Sequence, residues 1–248
     1  MNALAEIDDL HVSFGGVAAA NGVSFTVERS ELLALIGANG AGKTTALRMV
    51  AGILRPDRGR VLFDDRDVTA LPAHARVRLG LGFTHQIVRP FYSFSTIENV
   101  MLAAGYARTA SPWKAITSRS RMAARDKARA ILERFGLGAQ AERSPRALPL
   151  GQRKRLEVAR AIALDPKLLL LDEPLAGLSS AEATTMADLI RTLSGQGITV
   201  VLVEHNLGEV LRVADRLVVL DAGKVMAQGA PSDVMARDDV RQAYTGVV

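Results

Sequence analysis

The stretch GANGAGKTT, residues 37–45, is the most informative part of this sequence. It matches the pattern G-x-x-x-x-G-K-[ST] and follows the apolar run LLALI, while residues 44–51 have the composition of a helix. A strand, a glycine-rich loop and a helix in this order predict a cradle for phosphate groups. The loop residues assigned to this cradle are Gly37, Ala38, Asn39, Gly40, Ala41, Gly42, Lys43, Thr44 and Thr45.

The residue types of this loop fit a phosphate ligand. Glycine at positions 37, 40 and 42 lets the main chain approach the ligand closely and present its N–H groups. The Lys43 ammonium is expected to contact the β and γ phosphates, and the Thr44 hydroxyl to ligate Mg²⁺. A nucleoside triphosphate is therefore the predicted ligand. A plain glycine-rich turn with an exposed lysine is the alternative.

Composition restricts the remaining functions. The chain has 248 residues, 48% of them hydrophobic, which is enough for a substantial core. It contains no cysteine, so disulfides, thiolate metal sites and cysteine nucleophiles are excluded. The net charge of +5 does not demand a nucleic-acid partner, and none is expected. Because the sequence shows neither a secretory signal nor an apolar run of about 20 residues, a cytoplasmic protein is expected.

Hydrophobic patterning divides the chain into three parts. The first third alternates short apolar runs with turn residues, which predicts strands. Residues 89–149 are helical in character, and Ala128, Ile131, Leu132 and Phe135 have the spacing of one buried helix face. The remaining hundred residues alternate strands with helices, and their unbroken apolar runs are typical of strands buried on both faces of a parallel sheet. This order predicts an α/β domain.

Polar residues follow several predicted strands at the point where parallel sheets bind ligands. Asp172 and Glu173 end the run LLLLDE, His205 follows ITVVLVE, and Gln86 follows LGLGFTH. We expect Glu173 to deprotonate the attacking water and His205 to contact the γ-phosphate; for His205 and Gln86 the alternative is an ordinary structural role. The predicted catalytic residues are Glu173, His205 and Lys43. The predicted magnesium ligands are Thr44, Gln86 and Asp172.

In this order the motifs resemble those of the nucleotide-binding subunit of ABC transporters, over nearly the whole chain. GANGAGKT is similar to the Walker A loop, THQ to the Q-loop, LLLLDEP to Walker B, AGLS to the D-loop and VEH to the H-switch. The resemblance implies ATP and Mg²⁺ as cofactors. It also implies that Phe14 stacks on adenine, although Phe14 taken alone is more typical of a core residue.

The resemblance further implies one α/β cassette of the P-loop NTPase class over residues 1–248. This cassette has a mostly parallel core sheet, an N-terminal antiparallel β subdomain and a helical subdomain inserted at about 89–163. Within the insert, Phe91, Tyr92 and Phe94 are interpreted as core residues or as contacts to a partner.

The segment LPLGQ, residues 148–152, stands where the family has its signature, but it departs from the common form LSGGQ. Pro149 supplies neither a hydroxyl nor an N–H group, yet it suits the first turn of a helix. The resemblance implies that this segment contacts the γ-phosphate of an opposite subunit. The departure leaves that contact to Gly151 and Gln152, with the Leu150 N–H group in support.

The resemblance also implies partners and a function. Two ATPase subunits, identical or related, pack head to tail and hydrolyse ATP to drive a transmembrane permease, at the cytoplasmic face of the membrane. The insert and the tail at residues 229–246 look like those of branched-chain amino acid importers, which work with a periplasmic solute-binding protein. Relatives serve urea, amides or lipopolysaccharide export. A soluble ATPase that clamps nucleic acid or ribosomes and a nucleotide-binding regulator are the other hypotheses.

Overall fold

The structure, a computed structural model, describes residues 3–84, 89–108 and 118–245, which form two sheets and the helices packed on them. The strands are β1 (Ala3–Phe14), β2 (Val17–Glu28), β3 (Leu32–Gly37), β4 (Arg58–Phe63), β5 (Arg66–Asp67), β6 (Leu81–Phe83), β7 (Leu168–Asp172), β8 (Thr199–Val203), β9 (Arg216–Asp221) and β10 (Lys224–Gly229). The helices are α1 (Lys43–Val50), α2 (Ala73–Leu79), α3 (Thr96–Arg108), α4 (Ser118–Arg134), α5 (Leu150–Ile162), α6 (Ser180–Ser194), α7 (Leu207–Val213), α8 (Pro231–Ala236) and α9 (Asp238–Thr245).

The core sheet has six strands in the order β10-β9-β3-β8-β7-β6. Strands β9, β3, β8, β7 and β6 run parallel to one another, and β10 pairs antiparallel with β9 at one edge. The carboxyl ends of the parallel strands therefore meet at one edge of the sheet, where α/β folds bind ligands. The predicted α/β class with a mostly parallel core sheet is confirmed.

A second sheet of four antiparallel strands, in the order β2-β1-β4-β5, is formed by the first part of the chain. Its strands alternate buried and exposed residues along much of their length, as expected when only one face packs on the core. The predicted N-terminal antiparallel β subdomain is therefore present.

Both faces of the core sheet are buried, by different elements. In β7, Leu168 and Leu170 pack in a cluster with β1, β2 and α1, whereas Leu169 and Leu171 pack in a cluster with α5 and α6. Every residue of β3, β7 and β8 is buried. Because successive side chains of a strand point to opposite faces, a strand covered on both faces is apolar without alternation. This confirms the interpretation of the unbroken apolar runs.

Helices α3, α4 and α5 occupy the region predicted as helical. Ala128, Leu132 and Phe135 are buried in a cluster with residues of α3 and α5, and Ile131 packs against its edge. The predicted buried face of α4 is thus confirmed, while the bounds of a separate helical subdomain stay a prediction. Among the described residues no helix is both long and apolar enough to cross a lipid bilayer.

A buried arginine holds the end of the helix that follows the glycine loop. The Arg76 guanidinium is fully buried and donates hydrogen bonds to the carbonyl oxygens of Met49 and Val50, at 2.8 and 2.7 Å. It also donates to the carbonyl oxygens of Thr69 and Leu71. Burial lowers the pKa of Arg76 to about 10. Since the last carbonyls of a helix lack partners within the helix, Arg76 anchors α1 to the segment before α2.

Asp64 connects the two sheets through ion pairs. One of its carboxylate oxygens lies 2.6 Å from the Lys167 ammonium, just before β7, and the other lies 2.5 Å from the Arg29 guanidinium, just after β2. These hydrogen bonds, that of Lys167 first, lower the pKa of Asp64 to about 2. A carboxyl group with a folded-state pKa below its unfolded value of about 3.9 stabilises the fold above that value, and the contribution is lost as the pH falls towards 2.

We expect Asp64→Asn to lower the free energy of unfolding at pH 7 by about 1 kcal/mol, and the difference from the parent protein to shrink at pH 3. Urea unfolding at both pH values measures it. Asp65→Asn is the matched control, because Asp65 also has a positive φ and the described structure records no ion pair for it. Equal losses in the two variants, or a difference that does not change with pH, would contradict this account.

Candidate active site

Two glycines of the loop are required by neighbouring main chain. A Cβ atom at Gly37 would lie 2.1 Å from the carbonyl oxygen of Leu220, and one at Gly42 would lie 2.3 Å from that of Ala19. Both have a positive φ, as does Gly40, beside which the structure leaves open space. Close approach of a ligand is the reason predicted from the sequence for all three glycines. For Gly37 and Gly42 the structure shows a second reason, which is the contact of the loop with β9 and β2.

Lys43 begins α1 and turns back over the loop. Its buried ammonium donates to the carbonyl oxygens of Gly37, at 2.7 Å, and Ala38, at 2.8 Å. Burial lowers the pKa of Lys43, and the negative charges of Glu173 and Asp172 oppose that shift. A cation is thus fixed inside the loop beside two carboxylates, in a position suited to an anionic ligand.

Thr44 and Asp172 place two oxygen ligands side by side. The Thr44 hydroxyl donates to Asp172 Oδ1 at 3.0 Å, and Asp172 is buried at the end of β7. The Asp172 N–H donates to the hydroxyl of Thr84, directly after β6. Mg²⁺ prefers hard oxygen ligands and is usually held by one or two protein groups together with substrate phosphates. The residues present therefore fit a magnesium ion shared with a triphosphate.

Glu173 and His205 lie together at the ends of adjacent strands. The carboxylate Oε1 of Glu173 is 4.0 Å from His205 Nδ1, with the glutamate side chain mostly buried and the histidine exposed. Glu173 has a φ of +50°, which is unusual for a residue with a side chain. Its N–H group donates to the carbonyl oxygen of Val203, the last residue of β8. The structure thus brings together the residue predicted as the base and the residue predicted to contact the γ-phosphate.

Two buried charged residues beside this pair were not singled out from the sequence. Lys154 on α5 donates to the carbonyl oxygen of Glu173, and Glu204 lies directly before His205. Glu204 directly follows the apolar run of β8, at the same kind of strand end as the predicted site residues, and this was the available signal. Lys154 lies in the basic stretch QRKR, where nothing in the sequence separates it from its less buried neighbours.

Phe14 lies at the end of β1 and is 52% exposed, which rules out the alternative of a core residue. The hairpin of β1 and β2 continues to Ala19, whose carbonyl oxygen faces Gly42 of the loop. The aromatic ring is thus on a hairpin that touches the phosphate-binding loop. Its stacking on adenine stays a prediction.

The signature segment forms the start of α5. Pro149 precedes the helix with an extended conformation, φ −56° and ψ 161°, and Leu150, Gly151 and Gln152 form the first turn. Leu150 is exposed, whereas Gly151 is buried against Glu182 of α6, whose Oε1 would lie 2.6 Å from a Cβ atom there. The proline-started helix is confirmed. Contact with an opposite subunit's nucleotide stays a prediction.

Gln86 and its neighbour His85 lie outside the described residues. The segment that follows is described, and Phe91, Tyr92 and Phe94 are exposed, between 39 and 49%. The Arg160 guanidinium lies 4.7 Å from the centre of the Phe91 ring. The interpretation of these three aromatic residues as core residues was therefore wrong, and their contact with a partner remains a prediction.

Comparison with known proteins identifies the family. The family described as ABC transporter matches residues 20–176. The lipopolysaccharide export system ATP-binding protein LptB of Haemophilus influenzae is 34% identical over 239 residues, covering 96% of this chain and 95% of the relative. The high-affinity branched-chain amino acid transport ATP-binding protein BraF of Pseudomonas aeruginosa is 35% identical over 254 residues, covering 98% of each.

Solved structures agree with this similarity. A nucleotide-free ATP-binding cassette from an ABC transporter superposes with a TM-score of 0.86 at 29% identity, covering 99% of this chain and 100% of that one. An ATP-binding cassette in its ADP conformation superposes with a TM-score of 0.87 at 29% identity, covering all of both chains. The chain belongs to the ABC transporter family and is an ATP-binding subunit with ATPase activity.

We expect Gly42→Ala to lower the free energy of unfolding by about 2–4 kcal/mol, because the new methyl group combines left-handed strain with a clash against the Ala19 carbonyl. Gly40→Ala, which adds the strain without the clash, is the matched control and should cost about 1 kcal/mol. Urea unfolding without nucleotide measures both. Equal costs at the two positions would show that contact between the loop and β2 is not what requires glycine at position 42.

Proposed function

We propose that this ATPase drives solute import through a membrane permease and that the solutes are branched-chain amino acids. The observation that carries the ATPase part is the convergence of Lys43, Asp172 and Glu173 at one edge of the core sheet. The transport part is supported by relatives whose names state branched-chain amino acid transport and which match along nearly the whole chain.

The loop residues 37–45 hold the triphosphate of ATP in this proposal. Their N–H groups and the Lys43 ammonium bind the phosphate oxygens, and Phe14 stacks on adenine. Thr44, Asp172 and Gln86 hold Mg²⁺, and the ion supplies neutralisation of charge on the phosphate oxygens. Since Lys43 and Thr44 are consecutive on α1, one helix start positions both the cation and the metal ligand.

Glu173 acts as the general base. Its carboxylate accepts a proton from the attacking water while the water oxygen bonds to the γ-phosphorus and the bond to the β-phosphate oxygen breaks, which gives ADP and phosphate. His205, whose Nδ1 lies 4.0 Å from Glu173 Oε1, donates a hydrogen bond to the γ-phosphate and so positions it. Its exposed position allows contact with a ligand at the surface of the subunit.

The partners follow from the same arrangement. A second ATPase subunit, identical or related, places its residues Leu150, Gly151 and Gln152 on the nucleotide bound here, at the positive end of its α5. The exposed aromatic residues Phe91, Tyr92 and Phe94 contact a permease, which holds the subunit at the cytoplasmic face of the membrane. A periplasmic binding protein delivers the solute to that permease.

Lipopolysaccharide export is the second candidate function. Relatives named for it are 34 and 36% identical, the same level as those named for branched-chain amino acid transport. The site geometry described here would serve either direction, because ATP hydrolysis is the same reaction in both. A transport measurement therefore has to choose between them.

We expect Glu173→Gln to reduce kcat for ATP hydrolysis by about 10²-fold or more while ATP affinity changes little, because the amide cannot accept the proton. Steady-state hydrolysis and equilibrium ATP titration measure the two quantities. Glu142→Gln, which removes an exposed carboxylate paired with Arg125 in the helical region, is the control and should retain the parental rate. A Glu173→Gln protein that hydrolyses ATP at the parental rate would place the base elsewhere.

Solute identity is tested with the transporter assembled. The tagged chain is purified with the permease that accompanies it, reconstituted in proteoliposomes and supplied with its periplasmic binding protein. Leucine is then expected to raise ATP hydrolysis severalfold and to accumulate with ATP. Stimulation by lipopolysaccharide in place of leucine would reject amino acid import and support the second candidate.

A further inference from the structure

Two charged side chains are buried next to the reactive residues without belonging to the site proposed above. Lys154, on the second turn of α5, is 6% exposed, and Glu204, between β8 and His205, is fully buried. Burial of a charge is costly unless other groups compensate for it. The hydrogen bonds that compensate for these two charges are made to the main chain around Glu173 and His205.

Lys154 fixes the main chain of Glu173. Its ammonium donates to the Glu173 carbonyl oxygen at 2.8 Å, while the Glu173 N–H group donates to Val203 at 3.0 Å. Both main-chain groups of Glu173 are thus bound, from two different elements. A left-handed φ at a residue with a side chain costs about 1 kcal/mol or more, and it persists where surrounding contacts determine it.

Glu204 connects the segments that follow β7 and β8. One carboxylate oxygen accepts a hydrogen bond from the Leu175 N–H group at 2.6 Å, and the other accepts from the His205 N–H group at 3.3 Å. Burial raises the pKa of Glu204, and the charges of His205 and Lys154 are among the effects that oppose that rise. Burial lowers the pKa of Lys154, with the Glu204 charge as the largest opposing effect.

We propose that Lys154 and Glu204 are positioning residues: together they hold the main chain of Glu173 and His205 so that the Glu173 carboxylate faces the γ-phosphate. The proposal rests on the function assigned to Glu173 above. Neither side chain touches ATP in it. Because Lys154 lies one turn after Gly151, the same helix that begins at the signature segment also holds Glu173, so a displacement of α5 displaces the Glu173 carbonyl.

The decisive variant is Lys154→Met, which keeps an unbranched stem and removes the donor. We expect kcat for ATP hydrolysis to fall about 10- to 30-fold and KM for ATP to stay within about twofold, since only the reactive geometry is lost. Lys154→Arg retains donors and should recover at least about a third of the parental kcat. ATP-dependent dimer formation, followed by size-exclusion chromatography, should persist in both.

Lys127→Met is the matched control. Lys127 also donates from a helix to a carbonyl oxygen, that of Ala163 at 3.0 Å, but outside the site. Its loss should lower the thermal unfolding temperature without lowering kcat at room temperature. A similar drop in kcat in both lysine variants would show a general effect on stability and would overturn the positioning role.

Glu204→Gln tests the role of Glu204, whether or not the Lys154→Met protein folds. One amide oxygen cannot accept both N–H groups in the geometry of the carboxylate, so we expect kcat to fall about 10-fold at unchanged KM. In the Lys154→Met/Glu204→Gln double variant, the factor by which kcat falls should be smaller than the product of the factors in the two single variants. The reason is that both residues hold the same main-chain segments. If kcat in the double variant falls by the full product of the two single-variant factors, the joint action of Lys154 and Glu204 is contradicted.

The outcomes separate this inference from the function on which it rests. A Glu173→Gln protein that retains hydrolysis rejects the base itself. An inactive Glu173→Gln protein together with parental kcat in Lys154→Met and Glu204→Gln rejects only the positioning role. Should Lys154→Met fail to fold, Glu204→Gln decides: parental kcat in this variant overturns the proposal, and a selective fall in its kcat supports it.

Discussion

The pair of hydrogen bonds from the Lys43 ammonium to the carbonyl oxygens of Gly37 and Ala38 is the interaction on which the site depends. It ties the first residue of α1 back to two carbonyl oxygens, at the end of β3 and at the start of the loop. Anion-binding loops hold their ligand through main-chain N–H groups, and these hydrogen bonds of Lys43 help to fix the main chain that carries them. Without this bond, a buried ammonium would lack its main-chain acceptors, at a cost of several kcal/mol.

Both sheets hold this loop from outside. The carbonyl of Ala19 in β2 faces Gly42, and Gly223, in the turn between β9 and β10, donates to the carbonyl oxygen of Ala41 at 3.1 Å. The Gly223 carbonyl in turn accepts from Asn21 of β2. The position of the phosphate cradle is thus determined where the antiparallel sheet meets the edge of the core sheet. Arg76 secures the far end of α1, so the helix is fixed at both ends.

Sequence patterns predict two parts of the site: the loop, which is one continuous motif, and the polar residues that directly follow apolar strands. The loop motif places Lys43 and Thr44, and the polar residues after apolar strands place Asp172, Glu173 and His205, because parallel strands end at one edge of a sheet. The parallel core follows from the same unbroken apolar runs, since only strands covered on both faces are apolar throughout.

Contacts between distant segments could not be predicted in this way. Lys154 and Glu173 are 19 positions apart, and nothing in a basic stretch indicates which of its cations turns inward. The clash that requires glycine at position 42 involves Ala19, which belongs to the other sheet. Phe14 is a further example, because an aromatic residue taken alone is more typical of the core, whereas the structure places this one on an exposed hairpin. Strand β10 and helices α8 and α9 were also absent from the sequence prediction.

The function of the site depends on where the triphosphate binds and on which side chain faces it. An experimental structure of the Glu173→Gln protein with ATP and Mg²⁺ measures this directly. We expect the phosphates on the N–H groups of residues 37–45 and the ion at Thr44 and the phosphate oxygens. We expect the substituted amide side chain at position 173 to be directed at the water beside the γ-phosphorus. A nucleotide bound away from this loop, or a side chain at position 173 turned away from the terminal phosphate, would contradict it.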